Sequence, residues 1–336
     1  MLILRILAFT AGLALVVAFF VSAMRVTLLL RRRHDRLASV AARATRRAFD
    51  LLVHLVPADR RSGLQDYLGP MALLALLITW FAAVLLGYTL MYWAVGEPSL
   101  AESLVFSGSS LTTTGFATPT SYAGRLLAIT EGAIGLGVVA ILITYLPSLQ
   151  SAVQQRDVMA SWVAARAGAP VSGPAFLAWY YARKQGDVDE VWSTGEQWFR
   201  SLGQSQAAQP LLIAYRPLAP ARSWVAAAGA LLDAAALALT ALALPDTGPP
   251  EVLLEAGVRA LEELAGSVAR SLVPAQIEDV SPATYAAALD RLRASGAPVR
   301  SEAEATYDAF AALRARYLPS VQRLAAATET LAQVWE

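Results

Sequence analysis

The 336-residue sequence contains no cysteine, two histidines and a single lysine, Lys184. Without cysteine there are no disulfides, thiolate metal sites or cysteine nucleophiles. His34 and His54 both lie early in the chain, so imidazole catalysis and a histidine-built zinc site are excluded from the C-terminal half. No alternating apolar–polar run bounded by turn residues appears, which argues against strands. A Gly-x-Gly-x-x-Gly turn, a phosphate loop and a nucleophile–base constellation are also missing. Enzymatic chemistry is therefore not expected, and neither a resident cofactor nor a metal site is called for. The acidic groups of the C-terminal half (Asp187, Asp189, Glu190; Glu262, Glu263; Glu302, Glu304) read as solvated faces.

Apolar residues, by contrast, are abundant. They make up 56% of the chain, above the roughly 45–50% usual for soluble domains. Ile6–Met24 carries no charge and is long enough to span a bilayer. A secretory signal peptide, with Arg5 at its start and Val21-Ser22-Ala23 as a cleavage site, is the rival reading. Charge decides between them. Arg25–Asp66 holds ten arginines (25, 31, 32, 33, 36, 43, 46, 47, 60, 61) against four aspartates. Such an excess beside apolar spans belongs on the cytoplasmic side, which puts the N-terminus outside. Arg31–Val56 reads as an amphipathic helix with Leu37, Val40, Ala44, Phe49, Leu52 and Leu55 on its apolar face. Anionic headgroups of the inner leaflet are its expected partner; no nucleic acid is expected.

Two further apolar runs, Met71–Ala94 and Leu126–Leu146, bracket a short element and a hydroxyl-rich stretch. Ser99–Leu111 is too short to span and, led by Pro98, reads as a re-entrant helix. Its partly negative C-terminal end would favour a cation beyond it. Ser109-Ser110-Leu111-Thr112-Thr113-Thr114-Gly115-Phe116-Ala117-Thr118 follows. Polar backbone at membrane depth is tolerated only where protein buries it or where it lines a wet path. Its carbonyls and hydroxyls can replace a cation's hydration shell.

This stretch resembles the pore loop of bacterial potassium-channel-like proteins, with Thr113, Thr114, Gly115, Phe116 and Ala117 at the five filter positions. Gly124-Arg125 is similar to the pair that opens the family's inner helix, and Gly135 falls at its hinge glycine. The resemblance covers Met71–Gln150 and implies a homotetrameric pore passing a monovalent cation, K⁺ or Na⁺. It implies a filter at Thr112–Ala117, supported by Ser109, Arg125 and Glu131. It also implies an inner-helix hinge at Gly135. Tyr145-Leu146-Pro147, at the inner mouth, reads either as an apolar gate that closes by dewetting, formed by Tyr145 and Leu146, or as ordinary helix-end packing. Ala117 and Thr118 depart from the pattern. The family needs left-handed backbone at the second filter glycine, which costs Ala roughly 1–2 kcal/mol. Either Ala117 is strained or the outer filter is built differently. The single-glycine filter is also similar to the repeats of Trk/Ktr-type transporters, which carry four per chain where one is found here. A sensor or scaffold that has lost flux is the remaining alternative. Glu131, the only charge in its span, is expected to face the short helix and bond Ser109, Ser110 or Arg125.

The C-terminal half is expected to be all-α. Helices are read at Pro174–Lys184, Val188–Leu202, Ser223–Leu244, Glu251–Leu272, Pro282–Ala294, Glu302–Tyr317 and Pro319–Trp335, with capping boxes at Asp187–Glu190, Ser193–Glu196 and Ser301–Glu304. Leu254, Val258, Leu261, Ala265, Val268 and Leu272 form a heptad seam that pairs subunits or builds a domain core. Trp224–Leu244 is long enough to span, but Asp233 and its polar neighbours favour a buried helix. The expected chain is an all-α membrane protein: N-terminal span (1–26), Arg-rich interfacial segment (27–66), pore unit (67–150) and cytoplasmic helical domain (151–336). The resemblance places it in a bacterial inner membrane. Because Ser148–Ala167 continues the inner helix directly, the C-terminal domain is expected to bias the gate through it.

Overall fold

The computed structural model describes residues 2–27, 68–168, 170–183, 188–208, 212, 215, 223–267 and 279–328. The Arg-rich amphipathic segment, both histidines, Asp187 of one capping box, and Val268 and Leu272 of the seam lie outside them. Among the described residues the regular structure is helical, with one isolated bridge, Leu242 to Val299. Contacts divide the chain into two compact units, 1–151 with 207–215 and 152–206 with 216–336.

In the first unit, α1 (Leu2–Thr27) packs along α2 (Leu68–Ala94). Buried Val16, Phe19, Ala23 and Val26 recur at spacings of three and four, which puts one stripe of α1 on its neighbour. The two helices touch at glycines. A Cβ on Gly12 would run into the Gly87 carbonyl oxygen, and one on Gly87 would meet the Gly12 oxygen at 2.8 Å. Small residues at such a crossing bring backbones close in a membrane, where dispersion rather than hydrophobicity joins helices. The indole Nε1 of Trp80 donates to Ser22 Oγ at 2.9 Å, and Phe19 meets the indole edge-on. Gly12→Leu is expected to push α1 off α2 at a cost of about 1–3 kcal/mol, lowering the thermal midpoint in detergent. Leu13→Ala, on the exposed face, should leave it in place.

Helix α3 (Leu100–Leu111) is the short element, and α4 (Tyr122–Ala167) follows it. Buried Gly124, Glu131, Gly135, Val138, Tyr145 and Leu149 form one stripe of α4, while Leu126, Ile129, Leu136, Val139, Ile143 and Leu146 stand exposed.

The second unit takes in the end of α4, then α5 (Gly173–Arg183), α6 (Val188–Ala208), α7 (Trp224–Ala241), α8 (Gly248–Ser267), α9 (Pro282–Ala294), a 3₁₀ turn (Ala303–Thr306) and α10 (Tyr307–Thr328). Among the described residues, four helices are long and apolar enough to cross a membrane. Of these, α7 is covered by α5, α8 and α10. Protein buries 89% of it, against 17–44% of the other three candidates, so it forms the core of its unit. Its alanines permit that closeness: a Cβ on Gly173 would meet Ala230 O at 2.8 Å. Asp233 is accommodated in this core. Tyr317 Oη donates to its Oδ1 at 2.6 Å, and Arg314 Nε donates at 3.3 Å while its Nη1 reaches Asp279 Oδ1 at 2.9 Å. Burial first, then the Asp233 charge, hold the Tyr317 phenol well above its usual pKa, so it remains a donor. The described seam residues Leu254, Val258, Leu261 and Ala265 are buried in this unit's core against α7 and α10.

Three expectations are corrected here. The helices read on either side of Pro319 are one, α10. Buried Phe310, Arg314, Tyr317, Val321 and Leu324 continue a single stripe across the proline, and that burial outweighs its intrinsic cost of about 3 kcal/mol. Ser193 lies inside α6 and donates to Glu190 O instead of capping. The Ser301–Glu304 spacing falls on the 3₁₀ turn, where no side chain caps. Among the described residues, serine caps form at Ser99, Ser121, Ser172, Ser223 and Ser281, each accepting from the N–H three residues on.

Candidate functional site

The polar loop hangs from the end of α3. A helix leaves its last four carbonyls unpaired, and here the loop uses three of them. Thr112 N–H bonds Gly108 O (3.1 Å), Thr113 N–H bonds Ser110 O (3.0 Å), and Thr114 and Gly115 N–H share Ser109 O (3.1 and 3.2 Å). Ala117 N–H donates to the Ser109 hydroxyl at 2.9 Å. Thr112 Oγ1 donates back to Gly108 O and lies 3.0 Å from Thr114 Oγ1. Thr112–Phe116 are all exposed, Phe116 to 73%, whereas Ser109 is buried.

Backbone handedness differs from the family pattern. The left-handed residues are Thr113 (φ +57°) and Gly115 (φ +67°); Ala117 is not among them. The outer part of the loop is thus built differently from that pattern, and Ala117 escapes the strain a left-handed backbone would impose. Thr113 carries it instead, tied down by its bond to Ser110 O.

Glu131 is fully buried and faces α3 as expected, but its bonds go elsewhere. Ser107 Oγ lies 2.5 Å from Oε1 and Tyr92 Oη donates to Oε2 at 3.0 Å. Tyr92 Oη also lies 3.3 Å from Ser110 Oγ. The carboxylate therefore joins α2, α3 and α4 in one network. Ser110 enters only through Tyr92, and the hydrogen bond of Arg125 Nε goes to Pro119 O at 3.4 Å. Rotation of α4 about its axis, unreadable from sequence, chose Ser107.

Gly135 sits against the same helix end. A Cβ there would collide with the Leu111 carbonyl oxygen, and α4 runs unbroken through it. In this conformation the glycine serves close approach rather than a bend. Tyr145 is buried in the first unit, lining an apolar crevice with Leu76, Trp80 and Leu142, while Leu146 is exposed. The structure does not bring these two to one surface.

Sequence reasoning missed Tyr92, Ser107 and Glu97. Ser99, Ser103 and Ser107 recur every four residues along one face of α3, a polar stripe inside an apolar protein that could have revealed the buried network. Glu97 is buried at the N-terminal side of α3. Its Oε1 accepts from Ser121 Oγ at 3.1 Å, and Ser121 Oγ accepts Gly124 N–H at 3.0 Å. A Cβ on Gly124 would meet Glu97 Oε1 at 2.8 Å, which gives that glycine its purpose. Among the described residues no acidic cluster could hold a metal ion.

Apolar helices, with a short helix and a polar loop bonded to its end lying between two of them in the chain, define an all-α membrane protein. Residues 75–149 match a family model described as "Ion channel", so this segment is similar to two-helix, potassium-channel-like ion-channel domains. The match spans most of α2, all of α3, the loop and the apolar part of α4, and leaves the second unit untouched. No curated protein and no solved structure matches the chain.

Proposed function

We propose that four copies of the chain close around an axis lined by the Thr112–Ala117 loop and conduct monovalent cations, with K⁺ the preferred ion. One loop cannot encircle an ion, and cyclic symmetry supplies the other walls. The observation that carries this reading is the pinned loop. The N–H groups of Thr112–Gly115 and Ala117 are spent on α3, and the loop's exposed hydroxyl-rich face has no apolar reason to exist between two spans. The permeant ion is cargo, exchanging water for Thr and backbone oxygens. Ser109 and Glu131 support the loop, Gly135 seats α3 against α4, and Leu146 provides the apolar constriction. The Arg-rich segment faces anionic lipid on the cytoplasmic side of a bacterial inner membrane, with the N-terminus outside and the helical domain inside.

The test is cation flux into liposomes holding the purified protein, with Tl⁺, K⁺, Na⁺ and Ca²⁺ compared. Monovalent flux is expected, and Gly115→Ala should reduce it at least tenfold. A Cβ at Gly115 finds open space, so the loss would come from the left-handed backbone alone, about 1–2 kcal/mol per subunit. Absence of flux in the wild type would leave a non-conducting scaffold. Saturable, slow flux would indicate a transporter subunit.

A further inference from the structure

We infer that the hydroxyl of Ser109 performs at Ala117 the task that the resembling channels give to a second glycine: it aims the outermost carbonyl of the ion path and so sets discrimination between K⁺ and Na⁺. The inference rests on the channel reading and adds to it a positioning residue for selectivity.

The argument runs through peptide planarity. In a trans peptide the N–H of one residue and the C=O of the residue before it point in opposite directions. The N–H groups of Thr113, Thr114 and Gly115 are bonded to carbonyls of α3. The carbonyls of Thr112, Thr113 and Thr114 are therefore turned away from α3, toward the exposed face of the loop. No helix carbonyl reaches the peptide between Phe116 and Ala117. Its N–H is taken by Ser109 Oγ at 2.9 Å, which turns the Phe116 carbonyl the same way as the other three. Left-handed backbone at residue 117 is unnecessary under this arrangement, and Ala117 does not adopt it.

Ser109 is suited to the task. Its side chain is fully buried, and its own carbonyl holds Thr114 and Gly115. One residue thus fixes both the middle and the outer part of the loop. Removing the hydroxyl frees only the outer peptide, because the carbonyl bonds do not depend on the side chain. The row of oxygens then loses its outermost member while the inner ones stay, and a shorter row replaces less of the hydration shell whose exchange distinguishes the two ions.

Bi-ionic reversal potentials of the reconstituted full-length channel test this. Wild type should favour K⁺ over Na⁺ by more than tenfold. Ser109→Ala should assemble normally by size-exclusion chromatography and conduct, with that ratio reduced at least fivefold. Ser109→Thr, which restores a hydroxyl, should regain it, and Ala117→Gly should change it less than twofold. The inference is overturned by a conducting wild type with a ratio near one, by Ser109→Ala at the wild-type ratio, or by a large gain in Ala117→Gly. A Ser109→Ala protein that fails to assemble would also overturn it, since the hydroxyl would then serve the fold. A wild type that carries no Tl⁺ removes the channel reading itself.

Discussion

Gly135→Val is expected to reduce cation flux by roughly 10–100-fold, whereas Gly137→Ala should leave it unchanged. The two glycines lie half a turn apart on the same helix, yet their surroundings are opposite. A Cβ at Gly137 meets nothing within 4 Å. At Gly135 it collides with the carbonyl oxygen of Leu111 and lies 3.1 Å from its carbon. Those are backbone atoms at the end of α3, and they cannot rotate aside as a side chain would. Either α4 moves outward or the end of α3 shifts, carrying with it the carbonyls that hold Thr112–Gly115. Overpacking of this kind costs about 1–3 kcal/mol, which is roughly a 10–100-fold loss of correctly built loops. The measurement is Tl⁺ influx per assembled protein. Wild-type influx in Gly135→Val would show that α3 and α4 do not meet as described.

The second large effect is on stability. Glu131→Leu is expected to lower the unfolding free energy by about 1–3 kcal/mol, and Glu131→Gln by less than half as much. Leucine removes the acceptor for Tyr92 Oη and for one of the two contacts of Ser107 Oγ, which also lies 3.0 Å from Leu85 O. A hydroxyl has one proton, so Ser107 can turn it to Leu85 O and remain satisfied. Tyr92 keeps only Ser110 Oγ at 3.3 Å. A buried donor left poorly paired costs about 1–3 kcal/mol, and the loss falls where three helices join. Glutamine keeps one carbonyl acceptor and nearly the same shape. Thermal unfolding in detergent, read alongside flux, separates the cases. A leucine variant as stable as wild type would mean that the network contributes nothing net. Replacing Tyr92, Ser107 and Glu131 together by apolar residues of similar size should recover part of the loss, since the penalty lies in the unpaired groups.

The sequence resolved some of this and not the rest, for identifiable reasons. The spans and the short α3 followed from length and hydropathy, since a bilayer demands about 20 apolar residues to cross it. Gly115 could be assigned a left-handed backbone because glycine alone takes it without cost. Thr113 could not, because its conformation is imposed by the bond from its N–H to Ser110 O against its own preference. Glu131 was recognisable as an intramembrane carboxylate, but Ser107 as its partner was not, since the axial rotation of α4 follows from packing. Pro319 was a stop signal that the buried stripe of α10 overrode.

What the order of residues settled unaided is the set of elements that a membrane-sized apolar length or a local backbone preference dictates: apolar helices long enough to span, a short helix between two of them and the hydroxyl-rich loop that follows it. Packing alone settled which carboxylate meets which hydroxyl, why Gly135 must lack a side chain, and how Ala117 stands where a glycine was expected. It also assigned α7, long enough to span, to the core of the second unit. Each of these depends on contacts between residues distant in the chain, and spacing along one helix carries no information about the surface that another helix presents to it.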